Sequence, residues 1–276
     1  MIKICLPEVD CSKYGLRYIG SRSRYATATA VSFVNNNLLL AASLLGKKIY
    51  LISLDDCQII DSISTNTLPD LMDYKDNVIV TANTDSSTIS LYKLEDNKIS
   101  LIEDVVLKSK IFPHGCRFIN EDVLITNKSR KNLGCFKYNI KSKKLKKIIS
   151  DNYVTKDIIV NNNLSIVVST EFVALAKPSK PPKSIIYLYD KGHNILNKLE
   201  IKGQTESVTA IDNNIFITDQ YNGTIIHCKI KNNKIFLNKN IKGLDFPHGI
   251  CSINDKVAVS NYGNNSIYLY NVNELT

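Results

Sequence analysis

The chain has 276 residues, 44% of them apolar, and a formal net charge of +9. That length and apolar share allow a well-buried core in one large domain over 1–276. No run of 18 apolar residues exists, which excludes a membrane-spanning helix, and the opening "MIKICLPEVDC" lacks the apolar stretch of a secretory leader.

The first predicted element is a strand at 2–7, "IKICLP". A polar link follows, "DCSKYGLRYIGSRSRYAT", in which Arg17, Arg22 and Arg24 alternate with Tyr14, Tyr18 and Tyr25. From there six units recur, beginning near Thr29, Pro69, His114, Thr155, Glu206 and His248, spaced 40 to 51 residues apart. The clearest copies are "PHGICSINDKVAVSNYGNNSIYLY" at 247–270, "PHGCRFINEDVLITNKSRKNLGCFKY" at 113–138 and "ESVTAIDNNIFITDQYNGTIIHC" at 206–228. Each has an apolar strand, an Asn/Asp turn, an apolar strand ending in Ser or Thr, a polar loop and an alternating strand. That period and strand content predict the four-stranded blade of a propeller. Calling the strands a to d from the axis outward, the last unit has a at 249–253, b at 256–260 and c at 266–271, with no strand d of its own. Residues 2–7 are expected to supply it, which removes an exposed sheet edge and locks the ring. The fold predicted is all-β, a six-bladed β-propeller closed by the N-terminal strand. Seven blades would be too short.

Two stretches depart from the repeat. In unit 3 the run "KSKKLKK" at 141–147 holds much of the excess positive charge, and lysines on an outer edge strand prevent edge-to-edge pairing. It lacks the interleaved aromatics of a nucleic-acid surface, so a nucleic-acid partner is disfavoured. In unit 4 "ALAKPSKPPK" at 174–183 is an extended b–c loop, because Pro178, Pro181 and Pro182 do not fit a central strand. Seven cysteines without paired spacing fit free thiols in a reducing compartment, and cytoplasmic residence is expected.

The pattern, best carried by "FPHGICSINDKVAVSNYGNNSIYLYN", resembles the six-bladed NHL-repeat propellers and the wider group of gluconolactonase-like, strictosidine-synthase-like and peptidyl-amidoglycolate-lyase propellers. Units 3, 5 and 6 match that pattern well, and units 1, 2 and 4 match in hydrophobic pattern alone. The resemblance speaks for architecture, since propellers host unrelated functions.

In a blade, the entry to strand a and the end of strand b lie on one face, the top. The entries are Thr29, Pro69, His114, Thr155 or Lys156, Glu206 and His248, and the b ends are Ser43, Ala82, Asn127, Thr170, Asp219 and Asn261. His114 and His248 each sit in a Pro-His-Gly entry, three units apart, so they face each other across the axis. Each either anchors its own turn or serves as an acid/base or metal ligand. The resemblance adds that strand-entry histidines bind catalytic zinc in the lyase branch, and that oxygen donors on this face hold a divalent ion, usually calcium, in the lactonase branch. Here His114, His248 and Glu206 form the candidate zinc-type set and the candidate catalytic residues. Glu206, Asn127, Asp219 and Asn261 are the oxygen donors. Unit 1 has no acid where the lactonase branch requires one. Asn127, Asp219 and Asn261 also suit turn closure.

Only five arginines occur, Arg17, Arg22, Arg24, Arg117 and Arg130, against 30 lysines. Arginine offers a planar fork suited to carboxylate or phosphate. With Tyr25 they form the candidate ligand-binding set, unless they only pin a long loop. Cys116 and Cys251 read as small core residues; a Cys116–His114 nucleophile pair lacks an orienting third group. The functional expectation is a small anionic or peptide-like ligand in the top axial pocket, with lyase or hydrolase chemistry assisted by a divalent metal (zinc or calcium). The alternative is a non-catalytic NHL-type scaffold that binds a protein or nucleic acid across the top face.

Overall fold

The computed structural model describes residues 1–10, 27–107, 111–171 and 179–276. They form 24 strands in six four-stranded antiparallel sheets arranged as a ring. The inner strands a of blades 1 to 6 are β2 (Ala28–Phe33), β6 (Pro69–Lys75), β10 (Pro113–Ile119), β14 (Val154–Asn161), β18 (Thr205–Ile211) and β22 (Pro247–Ile253). Strands b follow as β3 (Leu38–Ser43), β7 (Val78–Asn83), β11 (Asp122–Asn127), β15 (Leu164–Thr170), β19 (Asn214–Asp219) and β23 (Lys256–Asn261). The last sheet runs β22, β23, β24 (Ser266–Asn271) and then β1 (Ile2–Cys5). Ile2 pairs with Leu269 and Cys5 with Ser266, so the N-terminal strand closes the ring at the expected place. Ile4 and Leu6 are buried in the apolar layer between blades 6 and 1. Asn265 Nδ2 donates to the Leu6 and Pro7 carbonyls at 3.1 Å each, extending the closure past the strand.

The repeat's Asn/Asp turns have a direct backbone reason. Asp76–Asn77, Asn162–Asn163 and Asn232–Asn233 all take positive φ, as two-residue hairpins demand. The core is likewise periodic. Each of the six junctions between neighbouring blades holds its own apolar cluster; blades 4 and 5, for example, meet through Val168, Ile186, Val208 and Ile217. In blade 3 the lysine run lies on the outermost strand, β13 (Lys144–Ser150). There Lys141 pairs with Glu121 at 2.9 Å and Lys143 with Glu103. Among the described residues no helix is long and apolar enough to cross a membrane.

One irregularity recurs in every blade and prepares the site. The ladder between strands a and b skips register at the same place six times: after Ala28, Pro69, Pro113, Thr155, Thr205 and Pro247. A bulge re-aims the residues it releases from the ladder. Those residues are Thr29, Asp70–Leu71, His114–Gly115, Lys156, Glu206–Ser207 and His248–Gly249.

Candidate functional site

Those bulges turn five ionisable side chains into one buried cluster. Glu206 Oε2 lies 3.0 Å from His114 Nε2, 3.9 Å from His248 Nε2 and 2.8 Å from Lys156 Nζ. Asp70 completes it, with Oδ1 at 3.5 Å from His248 Nε2 and Oδ2 at 3.8 Å from His114 Nε2. The two imidazoles stack with centroids 5.3 Å apart, so the opposite blades converge as tightly as a shared ligand or ion requires. All five residues are buried.

The histidines are aimed from behind. His114 Nδ1 donates to the Lys156 carbonyl at 2.9 Å and His248 Nδ1 to the Thr29 carbonyl at 3.0 Å. In each case the same carbonyl also accepts a hydroxyl from the blade's own strand b, Thr126 at 2.8 Å and Ser260 at 2.8 Å. Those hydroxyls take the backbone N–H of Gly115 and Gly249 at 2.7 Å each. Here the repeat's Ser/Thr signature stitches bulge to neighbouring blade. Thr218 repeats the scheme in blade 5, accepting from Ser207 N at 3.0 Å and donating to the His248 carbonyl at 2.6 Å. The glycines are needed for space: a Cβ at Gly249 would lie 2.6 Å from the Thr29 carbonyl oxygen, and one at Gly115 2.8 Å from that of Lys156. Each histidine thus anchors its turn with Nδ1 and presents Nε2 to the axis. A main-chain carbonyl accepting from Nδ1 is the usual way a ligating or acid/base imidazole is held in one tautomer.

Electrostatics set the cluster apart from a simple ion pair. Burial opposes ionisation of Glu206, but Lys156, the His114 bond and both imidazoles outweigh it and hold the carboxyl well below the usual range. Burial opposes Asp70 too, and His114, His248 and Lys128 override it, again lowering its pKa. Burial pushes His248 down against the pull of Asp70 and Glu206. Two carboxylates face one ammonium, Lys156, so with neutral imidazoles the cluster keeps one net negative charge. Asp70 Oδ1 is buried without a hydrogen-bond donor. Asp70, His114 and His248 each offer one ligand atom, all within 4.8 Å of one another. Two imidazole nitrogens and a carboxylate oxygen are the donor set of an open catalytic zinc site.

A second carboxylate, Asp70, faces the two histidines beside the expected Glu206. Glu206 is close to both histidines, but Lys156 Nζ holds both of its oxygens at 2.8 and 3.1 Å, and Gln204 Nε2 donates to Oε1 at 2.7 Å. Asp70 is the carboxylate with room. A unit entry at Pro69 hides it in the sequence; aligned with Pro113 and Pro247, Pro69 is the residue before the entry, and Asp70 occupies the histidine position. The b end of blade 2 is likewise Asn83, one beyond Ala82. Lys156, rather than Thr155, is the bulged residue of blade 4. Gln204 and Gln220, joined at 3.0 Å, extend the cluster and carry no repeat signal.

The other candidates lie elsewhere. Asn127 Oδ1 accepts from Phe112 N and Ser129 N, and its Nδ2 donates to the Asn132 carbonyl. Asp219 accepts from the backbone of Gln204, Tyr221 and Asn222, and Asn261 Oδ1 from Asp245 N. These three close turns. Arg130 is exposed in the loop between β11 and β12 (Gly134–Asn139). Arg117 belongs to a lower level of the axis. It grips Asp157 through Nε at 3.2 Å and Nη2 at 2.6 Å, and Ser207 Oγ bonds the same carboxylate at 2.7 Å. Burial disfavours the guanidinium charge, and Asp157 more than restores it. Burial pushes the Cys116 thiol far up and that of Cys251 to about 12, which removes both as nucleophiles. Arg17, Arg22, Arg24 and Tyr25 lie outside the described residues, as does the first half of the 174–183 loop.

No family model and no curated protein sequence matches the chain. Solved structures do match in shape. The nidogen/laminin complex superposes with TM-score 0.65 at 13% identity, covering 82% of this chain and 85% of that one. Virginiamycin B lyase from Staphylococcus aureus gives 0.61 at 13% identity over 96% and 97% of the two chains. A streptogramin B lyase gives 0.60 at 11% identity over 89% and 83%. At such identities the likeness is one of fold.

Proposed function

We propose that the protein binds a divalent metal ion through His114, His248 and Asp70 and acts with it on a small anionic or peptide-like ligand in the top axial pocket, by lyase or hydrolase chemistry. The observation that carries the reading is the convergence of two imidazole Nε2 atoms, each locked from behind by a main-chain carbonyl, on the buried Asp70 carboxylate, His248 at 3.5 Å from Oδ1 and His114 at 3.8 Å from Oδ2. A bound divalent ion polarises a ligand oxygen. The remaining steps fall to the chain's own groups. His114 is fixed at both nitrogens, by the Lys156 carbonyl at Nδ1 and by Glu206 3.0 Å from Nε2, which holds the ring edge on the axis. Glu206, kept ionised by Lys156, is a fixed negative charge on the axis beside His114 Nε2. Lys156 in turn offers positive charge to an anionic ligand. Two neighbours of similar shape are named as lyases, which supports the lyase class. Free thiols at all six described cysteines support the cytoplasm as the location.

The test is metal analysis of purified protein together with zinc and manganese titrations. One ion per chain is expected, with affinity lost at least about tenfold in His114→Ala, His248→Ala and Asp70→Asn. Absence of stoichiometric metal, with unchanged behaviour of the three variants, overturns the reading in favour of a non-catalytic scaffold.

A further inference from the structure

The opposite end of the axis holds a second cavity that the metal reading leaves unused. It measures about 290 Å³ and is ringed by the inner strands of all six blades, through Phe33, Asp73, Arg117, Ile159, Thr209 and Ser252. Arg117, paired with Asp157, lines it, and none of the five residues of the histidine cluster does. We propose that this lower cavity is a binding site for a small organic ammonium ion, with Asp73 as its counter-charge.

Three observations converge on a cation. Asp73 is anchored, with Oδ2 accepting from Phe118 N at 2.8 Å, yet among the described residues no basic side chain forms an ion pair with it. Arg117 is the cation nearest in influence, but its charge is taken by Asp157. With both carboxylates ionised, one guanidinium leaves one negative charge, on Asp73, which lines the cavity beside Arg117. The remaining polar groups offer oxygen: Ser252 Oγ donates to the Ala210 carbonyl, which makes Thr209 the donor in the 2.7 Å bond between the two hydroxyls and leaves the Thr209 oxygen free to accept. Finally, the cavity surface is mostly polar, although Phe33, Tyr74 and Phe118 are among its lining residues. A carboxylate beside hydroxyl oxygens in a cavity suits an ammonium group, which gains from the charge and from hydrogen bonds to the oxygens together. Burial pushes the Asp73 carboxyl up, with Arg117 opposing; a cation in the cavity favours the ionised form and so completes the charge balance.

The experiment is calorimetric titration of the full chain with benzylammonium, with benzyl alcohol as the neutral comparator of similar shape. Benzylammonium is expected to bind saturably at one site and the alcohol not measurably. Asp73→Asn keeps the acceptor for Phe118 N but removes the charge, and affinity should fall about tenfold or more. Should that variant fail to fold, Val160→Trp serves: Val160 lines the cavity and is 43% exposed, so the indole blocks the mouth without entering the core. Binding should be lost there as well. Lack of saturable binding by the parent, equal binding of the alcohol, or undiminished binding in either folded variant overturns the proposal.

Discussion

The axis carries buried charge at two levels, and the two are built on opposite rules. In the middle, Arg117 and Asp157 form a closed unit: two guanidinium bonds, a Ser207 hydroxyl and the Val208 N–H at 3.1 Å fill the carboxylate. At the top, Asp70 stands 3.5 and 3.8 Å from two imidazoles, with Oδ1 lacking any donor. Both levels use residues from the same inner strands. The difference teaches that burial of charge is not itself a sign of function. A satisfied pair holds blades together, and an under-coordinated set of donors held in fixed positions is what remains available for a ligand.

The comparison can be broken most severely by opening the ring on which both levels depend. Deleting residues 1–7 strips β1 from β24 and removes Ile4 and Leu6 from the layer between blades 6 and 1. A loss of about 5 kcal/mol or more is expected, on the scale of a whole domain's stability, and urea denaturation measures it. Unfolding within a few degrees of the parent would mean that closure contributes little.

A smaller change should split the two levels. Arg117→Ala leaves Asp157 buried without its partner and is expected to cost about 3–5 kcal/mol. His248→Ala should cost far less stability while removing metal binding. Thermal melts and metal titrations of the pair decide it; similar melting losses in both variants would erase the distinction drawn between structural and available charge.

Acid titration gives a gentler separation. The unfolded chain protonates His248 near its ordinary value, whereas the folded one holds it lower, so stability falls as pH drops below about 6.5. Asp70 and Glu206 have depressed folded values, so their contribution is present above about 4 and is lost as pH falls through those values. Asp73 has the opposite sign: its raised folded value contributes stability that is lost as pH rises through it. Equilibrium unfolding across pH should therefore show His248→Ala removing the loss near neutrality and Asp73→Asn stabilising the chain at pH 7 relative to the parent. Parallel pH profiles for both variants would contradict the assignment.

Much of this was readable from the repeat. Strand count, blade closure and the shared face of His114 and His248 follow from period and register, because alternating strands and Asn turns are local signals. The pairing of Arg117 with Asp157 was not, since the partners lie 40 residues apart in different blades and nothing local marks them. Asp70 was missed by one residue of register in a blade whose entry lacks His-Gly. Lys156 was left ambiguous because the bulge that selects it over Thr155 is a property of the ladder, not of composition. Gln204 and Gln220 lie beside the strands, in positions that the repeat does not mark.

The most direct test of the central claim is a crystal structure of the zinc-soaked protein with anomalous data at the zinc edge. One anomalous peak is expected on the axis, bonded at about 2.0–2.2 Å to Nε2 of both His114 and His248 and to an Asp70 oxygen. A peak bound to a single histidine, or no peak between them, would contradict the account.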